Sequence, residues 1–214
     1  NPEFPLDNRD LILFKTYIDM FNYEKAKKCG LIAINNAYLN RNYYLSSEIG
    51  GLLLNQKQIA LSKQENFDLQ YIVASSQRER TNHIDGAKLF LKTYTYMKEN
   101  ANDICIPNQV YCKFMHDCIN AQINANTPEI AIALLDDFKN FPHLNKEYRF
   151  LLHNRYAVAY LAIGETDKAE SSLLTAEKIA NKIKSRYYKS IIYSDMAFFY
   201  FNAIESRDKT LHYF

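Results

Sequence analysis

Residues 149–180 read RFLLHNRYAVAYLAIGETDKAESSLLTAEKIA, and this stretch decides the fold class. Leu152, Tyr156, Ala157, Tyr160 and Leu161 recur at three- and four-residue steps, the period of one buried face of an α-helix. Gly164 ends that helix, because a residue without a Cβ takes the left-handed conformation that closes a helix at little cost. Thr166 is the expected cap of a second helix, in which Ala169, Leu173 and Ala176 again fall on one side. Small residues at Ala157, Ala169 and Ala176 let the two helices approach closely. The stretch is a helical hairpin.

The same grammar extends through the chain. A first helix is expected over 6–21, capped by Asp7, with Leu11, Phe14, Tyr17, Ile18 and Phe21 along one side. Asn22 starts a second, whose contact face is Tyr23, Ala26, Ala33 and Ala37. Residues 42–63 read as helix but carry Gly50-Gly51 in the middle, where each glycine costs about 1 kcal/mol relative to alanine. Either the helix kinks there or another part of the chain passes close, and Leu52-Leu53-Leu54 predicts burial on more than one side. Residues 67–80 and 84–98 form the next pair, joined at Thr81-Asn82-His83, with Gly86-Ala87 as its small contact. Pro107 suits the first turn of a helix running to about Ala125, and Thr127-Pro128-Glu129 starts another that Phe141-Pro142 breaks. Helices over 185–204 and from Asp208 follow the 149–180 hairpin. The small residue that opens each second helix falls at Ala26, Ala87, Ala131, Ala169 and Thr210, at separations of 61, 44, 38 and 41 residues. The last three mark repeats near 40 residues, and the first implies an extra helix within 42–63.

Composition narrows the function classes. Apolar residues make up 48% of the 214, too many for a disordered chain, and five glycines with five prolines are too few for the tight turns of an all-β fold. A net charge of +2 gives no electrostatic case for nucleic acid, which needs a concentrated positive face. The longest apolar run, 49–54, is far short of the roughly 20 residues that span a bilayer. Cys29, Cys105, Cys112 and Cys118 form no C-x-x-C pair and are expected as free thiols in a reducing cytoplasm. Residues 1–5 read as a cloning remnant. The repeat domain is expected over 6–214, irregular around 42–64, and cut from a longer protein.

From Ala157 to Ala176 the pattern A-x-x-Y-x-x-x-G-x-x-x-x-A-x-x-x-L-x-x-A resembles the tetratricopeptide repeat, a helix–turn–helix unit with small, aromatic, glycine and alanine residues at these spacings. Tyr17, Tyr23, Ala26 and Ala33 give the second-best match. The resemblance implies an all-α, right-handed stack of antiparallel helical hairpins, with repeats longer than the usual 34 residues. Such repeats occur in bacterial regulators and in nucleotide-dependent switch ATPases whose repeats sense a ligand. The implied function is a scaffold that binds a protein or peptide, as the sensing or assembly arm of a larger intracellular protein.

In that family the first helices line a groove. By position, the groove residues are Lys15; Ser76, Glu79 and Arg80; Lys113, His116, Asn120 and Asn124; Asn154 and Val158; and Ser194, Phe198 and Phe201. Asn120 takes the place where peptide-binding members use an amide, able to donate and accept, to grip a ligand backbone. The plain alternative for each is a solvated helix face. Cys112, His116 and Cys118, with Cys105 upstream, invite a metal, but Cys118 is two residues from His116 and points away, so four ligands do not converge and no metal or other cofactor is expected. Ala197–Phe201 (AFFYF), with Tyr187-Tyr188, is an aromatic patch, either core or binding pocket. Arg78-Glu79-Arg80 and Lys25, Lys27 and Lys28 read as solvated charge. No phosphate loop, dinucleotide fingerprint, H-E-x-x-H or G-x-S-x-G is present, and no enzyme is expected. A rigid spacer or self-association module is the alternative reading, and a helical domain enclosing a small-molecule or catalytic cavity around His116 and Asn120 is another.

Overall fold

The computed structural model describes residues 9–80 and 83–213, most of them in backbone hydrogen bonding of helical period. Among them the chain is all-α: eleven helices and no strand. None of these helices is long and apolar enough to cross a membrane. The chain divides into two compact units at Ile106–Pro107. Residues 1–5, Leu6 and Asp7 of the expected first helix, and Thr81-Asn82 of one expected joint lie outside the described residues.

The first unit holds α1 (Arg9–Asp19), α2 (Tyr23–Leu39), α3 (Tyr43–Asn55), α4 (Lys63–Glu79) and α5 (His83–Glu99). Asn22 and Asn42 cap α2 and α3 through side-chain oxygens that accept from the amides of Lys25 and Leu45. The expected helix over 42–63 ends at Asn55 instead, and α4 begins four residues before Phe67. The reason is a reciprocal cap: Ser62 Oγ accepts from the Glu65 amide at 3.2 Å, and the Ser62 amide donates to Glu65 Oε2 at 2.7 Å. Lys27 Nζ of α2 then ties down the connector, donating to the Ala60 carbonyl at 2.9 Å and pairing with Glu65 at 2.8 Å. Phe21, expected on the buried side of the first helix, is 78% exposed, because its positive φ of 54° turns it out of the helix.

Helices in this unit pack in chain order. α1 and α3 close on α2 at Gly30, where an added Cβ would meet Phe14 and Leu53 at 2.9 Å. α2 and α4 close on α3 at Gly50, where it would strike Val73 and, at 2.7 Å, Ile34. Of the two readings of Gly50-Gly51, close approach therefore holds, and α3 runs unbroken through both glycines. Phe14, Ala26, Ile34, Ile49, Leu53 and Leu69 form the core.

The second unit holds α6 (Asn108–Asn124), α7 (Pro128–Lys139), α8 (Lys146–Ala162), α9 (Thr166–Ile183), α10 (Arg186–Asn202) and α11 (Arg207–Tyr213). Gly164 takes φ +79° between α8 and α9. Thr166 is the first residue of α9 rather than its cap; Glu165 occupies the cap position and makes no side-chain cap bond. Ala157, Ala169, Leu173 and Ala176 are buried, as the hairpin pattern requires, with Phe150, Ile192, Met196 and Tyr200 completing the core. All five marker positions, Ala26, Ala87, Ala131, Ala169 and Thr210, are buried near the starts of α2, α5, α7, α9 and α11.

Side-chain hydrogen bonds join adjacent hairpins. Tyr156 Oη of α8 donates to Asp136 of α7 at 2.6 Å. Glu170 of α9 accepts from Tyr200 Oη of α10 at 2.7 Å and from Lys209 Nζ of α11 at 3.0 Å. Those two donors, Tyr200 first, hold the Glu170 carboxyl below the usual range against the opposing effect of burial. A folded pKa below the unfolded one stabilises above the unfolded value of 4.5, and that stabilisation is lost as pH falls through the folded value. Glu170→Gln should therefore lower the thermal midpoint at neutral pH, and the gap to the parent protein should narrow as pH falls below 4.5. A gap independent of pH would show that the carboxylate charge plays no part.

Candidate functional site

Most of the expected groove residues lie on α6, α8 and α10. On α6, Cys112, Phe114, Met115, Cys118, Ile119, Ala121 and Gln122 are buried, which turns the remaining side of the helix outward. Lys113 and Asn124 stand exposed on it, and His116 and Asn120 are half-buried. The last two meet one turn apart, with Asn120 Nδ2 3.2 Å from a ring nitrogen of His116. A neutral imidazole accepts that hydrogen, leaving the Asn120 carbonyl oxygen as an acceptor.

On α8 the register differs from the expected one. Asn154 is only 1% exposed and belongs to the joint between α8 and α10, where its Nδ2 donates to Asp195 Oδ2 at 2.6 Å. It is not available to a ligand. The cause is rotation: Phe150, Ala157 and Leu161 face the α9 and α10 core, and Asn154 lies on the same arc. Val158 is half-buried on the next arc, in line with Leu151 and Arg155. Burial lowers the Arg155 pKa, and Asp195 opposes that effect. Burial likewise lowers the His153 pKa, helped by Lys139.

On α10, Ala197, Phe199 and Tyr200 of the AFFYF patch are core residues, while Phe198 and Phe201 are 63% and 66% exposed. With Tyr193, Ser194, Ala197 and Tyr213, these two phenylalanines line a groove of about 620 Å³. The patch is thus split by helical period, with Ala197, Phe199 and Tyr200 turned to the core and Phe198 and Phe201 left open.

The first unit treats its expected groove residues differently. Lys15 is exposed and pairs loosely with Glu48 of α3 at 3.6 Å. Ser76 is fully buried, donating to Ser46 Oγ at 3.0 Å, and so is a packing residue. Glu79 accepts from Arg78 at 2.8 Å, and the Arg80 guanidinium lies 4.7 Å over the ring of Tyr44. Lys15 and Arg80 thus both reach α3, at Glu48 and at Tyr44 one turn before it, while Ser76 is enclosed between α3 and α4.

Cys112 and Cys118 are buried in the second unit's core, and burial pushes both thiols up. Cys105 is exposed in the loop before α6, and Cys29 is half-buried. Among the described residues no three His, Cys, Asp or Glu side chains converge on a common point. Sequence reasoning passed over Arg155, Asp195, Tyr193 and Tyr213. For Arg155 the signal was present, since counting the helical arc from Phe150 and Ala157 puts residue 155 outward and residue 154 inward.

Compared with known proteins, the chain matches no family model, no curated protein and no solved structure.

Proposed function

We propose that the chain is a protein- or peptide-binding scaffold of the tetratricopeptide type, taking an extended segment along the outward face of α6, α8 and α10. The observation that carries this reading is the outward polar row on α6, Lys113, His116, Asn120 and Asn124, on the same unit as the exposed Phe198 and Phe201. Amide and imidazole groups would hydrogen-bond a partner's backbone, and the aromatic groove would bury its apolar side chains. The partner would be protein rather than nucleic acid or membrane, and the scaffold would serve as a sensing or assembly arm of a larger intracellular regulator. Small rotations between hairpins would transmit occupancy along the array.

The test begins with peptides selected by display on the intact chain. Asn120→Ala and Phe198→Ser are expected to weaken their binding at least about tenfold, in keeping with the loss of a central hydrogen bond or aromatic contact. Lys178→Ala, on exposed α9 surface, should leave it unchanged, and circular dichroism should be the same for all four proteins. Equal affinity across the set would refute the reading.

Phe198 and Phe201 also support a second reading, self-association through the α10 groove. Sedimentation of the parent protein against Phe198→Ser/Phe201→Ser distinguishes the two. A dimer that the double variant dissolves favours association, and a monomer in both favours the peptide.

A further inference from the structure

The turn between α9 and α10 gathers positive charge that the whole-chain total conceals. Residues 178–189 hold Lys178, Lys182, Lys184, Arg186 and Lys189 and not one acid, although the net charge of the chain is only +2. Lys178 and Lys182 lie one turn apart on α9, Lys184 ends that helix in the left-handed conformation at φ 59°, and Arg186 and Lys189 open α10. Lys178, Lys182, Lys184 and Arg186 are exposed and Lys189 is half-buried. Among the described residues no acid forms an ion pair with any of the five. Glu177, just before the run, acts on Tyr200 and Tyr213 instead, and Glu147 of α8, whose charge reaches Tyr188, has exposed Lys146 beside it. Helix stability explains only half of this. Lys182 favours the negative end of α9, but Arg186 and Lys189 sit at the positive end of α10, where a cation is unfavourable. No acid in the first turn of α10 offsets them, and its cap residue Ser185 makes no side-chain cap bond.

Amid these cations stands Tyr187, 66% exposed. Its ring meets Tyr188 edge-on at 5.3 Å between centroids, and Tyr188 in turn packs against buried Phe150 at 5.0 Å, so the core props up the outer ring. We propose that the α9–α10 turn binds single-stranded nucleic acid, with its lysines and Arg186 on the phosphates and one base stacked on Tyr187. A single strand offers both things this surface is built to take, a row of phosphates and bases with an open face. A duplex hides its bases in the stack, and an acidic peptide or anionic lipid brings charge without a plane to stack. The site does not rest on the peptide-binding reading: the α6–α8–α10 face keeps its own protein partner, and the turn takes a second one.

Fluorescence anisotropy of the intact chain with labelled oligouridylate and oligothymidylate strands of about 12 nucleotides, within the span such surfaces cover, tests this. Binding should saturate, and five phosphate contacts on a single strand predict that affinity falls about a hundredfold between about 50 and 200 mM salt. Lys182→Glu/Arg186→Glu should weaken binding at least about tenfold. Lys15→Glu/Lys88→Glu, the same change in net charge on exposed surface of the first unit, should leave it unchanged. Tyr187→Ala should cost about fivefold or more, the loss of one stacked base, and Tyr187→Phe should restore the parental value. Circular dichroism should be the same for every variant. A glutamate oligomer of the same length and phosphatidylserine vesicles, used as competitors, should each displace the strand at least about tenfold less well than unlabelled strand does. Tighter binding of uridylate identifies RNA and tighter binding of thymidylate DNA, and either supports the site. No binding at the lower salt, equal losses from the two charge-reversal pairs, indifference to Tyr187→Ala, or equal displacement by the glutamate oligomer or the vesicles overturns it.

Discussion

Gly50→Val is expected to destabilise the first unit by about 3 kcal/mol or more, the upper end of the cost of forcing extra carbon into a filled core. A Cβ at Gly50 strikes Val73 and would lie 2.7 Å from Ile34 Cδ1. Valine 73 is β-branched and stiff at χ1, so it cannot swing aside, and α2, α3 and α4 must separate to make room. The neighbouring glycine provides the control. An added Cβ at Gly51 meets nothing within 4 Å, so Gly51→Ala should stabilise by up to about 1 kcal/mol through helix propensity alone. Urea unfolding followed by circular dichroism separates the two, with midpoints moving in opposite directions. Equal and small shifts would mean that α2 and α4 do not close on α3.

Phe150→Ala should cost the second unit about 3–5 kcal/mol, the range for removing a buried aromatic side chain and leaving a cavity. Phe150 is fully buried, and its ring meets Tyr188 edge-on with centroids 5.0 Å apart. It joins α8 to α9 and α10 through the cluster that holds Ala157, Leu173, Ile192 and Met196. Against a typical domain stability of about 5–15 kcal/mol, that loss removes much of the margin. Phe198→Ala, one helix away but 63% exposed, should move the midpoint little. A mild Phe150→Ala would show that α8 and α10 are not packed on each other.

The hairpin over 149–180 was legible because its signals are local. A left-handed glycine, alanines at the contact and a 3.6-residue period are set by neighbours in sequence, and all three appear in the structure. The buried markers Ala26, Ala87, Ala131, Ala169 and Thr210 were legible for the same reason. Boundaries failed where two local signals competed. The Ser62–Glu65 capping box fixes the start of α4 at Lys63, four residues before the apolar period becomes visible at Phe67. Gly50-Gly51 was ambiguous because a kink and a close approach need the same residue, and only the position of Val73 and Ile34 decides between them.

The candidate site was less legible than the fold. Lys113, His116, Asn120 and Asn124 fell on the outward side of α6, since that helix has a well-defined apolar face. Asn154 and Ser76 did not, because a rotation of one residue along a helix carries a side chain through about 100°. That is enough to exchange a groove residue for a joint residue. Asn154 carries no mark of its partner Asp195, which lies 41 positions away in sequence. Arg155 was overlooked because a single arginine on a helix usually means a solvated face. Its burial becomes visible only once α10 is in place.

Side-by-side docking of α8 and α10 underlies the proposed binding face, and the Asn154–Asp195 hydrogen bond spans that joint at 2.6 Å. A double-mutant cycle of Asn154→Ala and Asp195→Ala, read by urea unfolding, measures whether the two helices meet there. The predicted coupling is about 1–3 kcal/mol, the value of a hydrogen bond to a charged group in a sheltered site. Strictly additive losses, with no coupling, would contradict the packing on which the binding face depends.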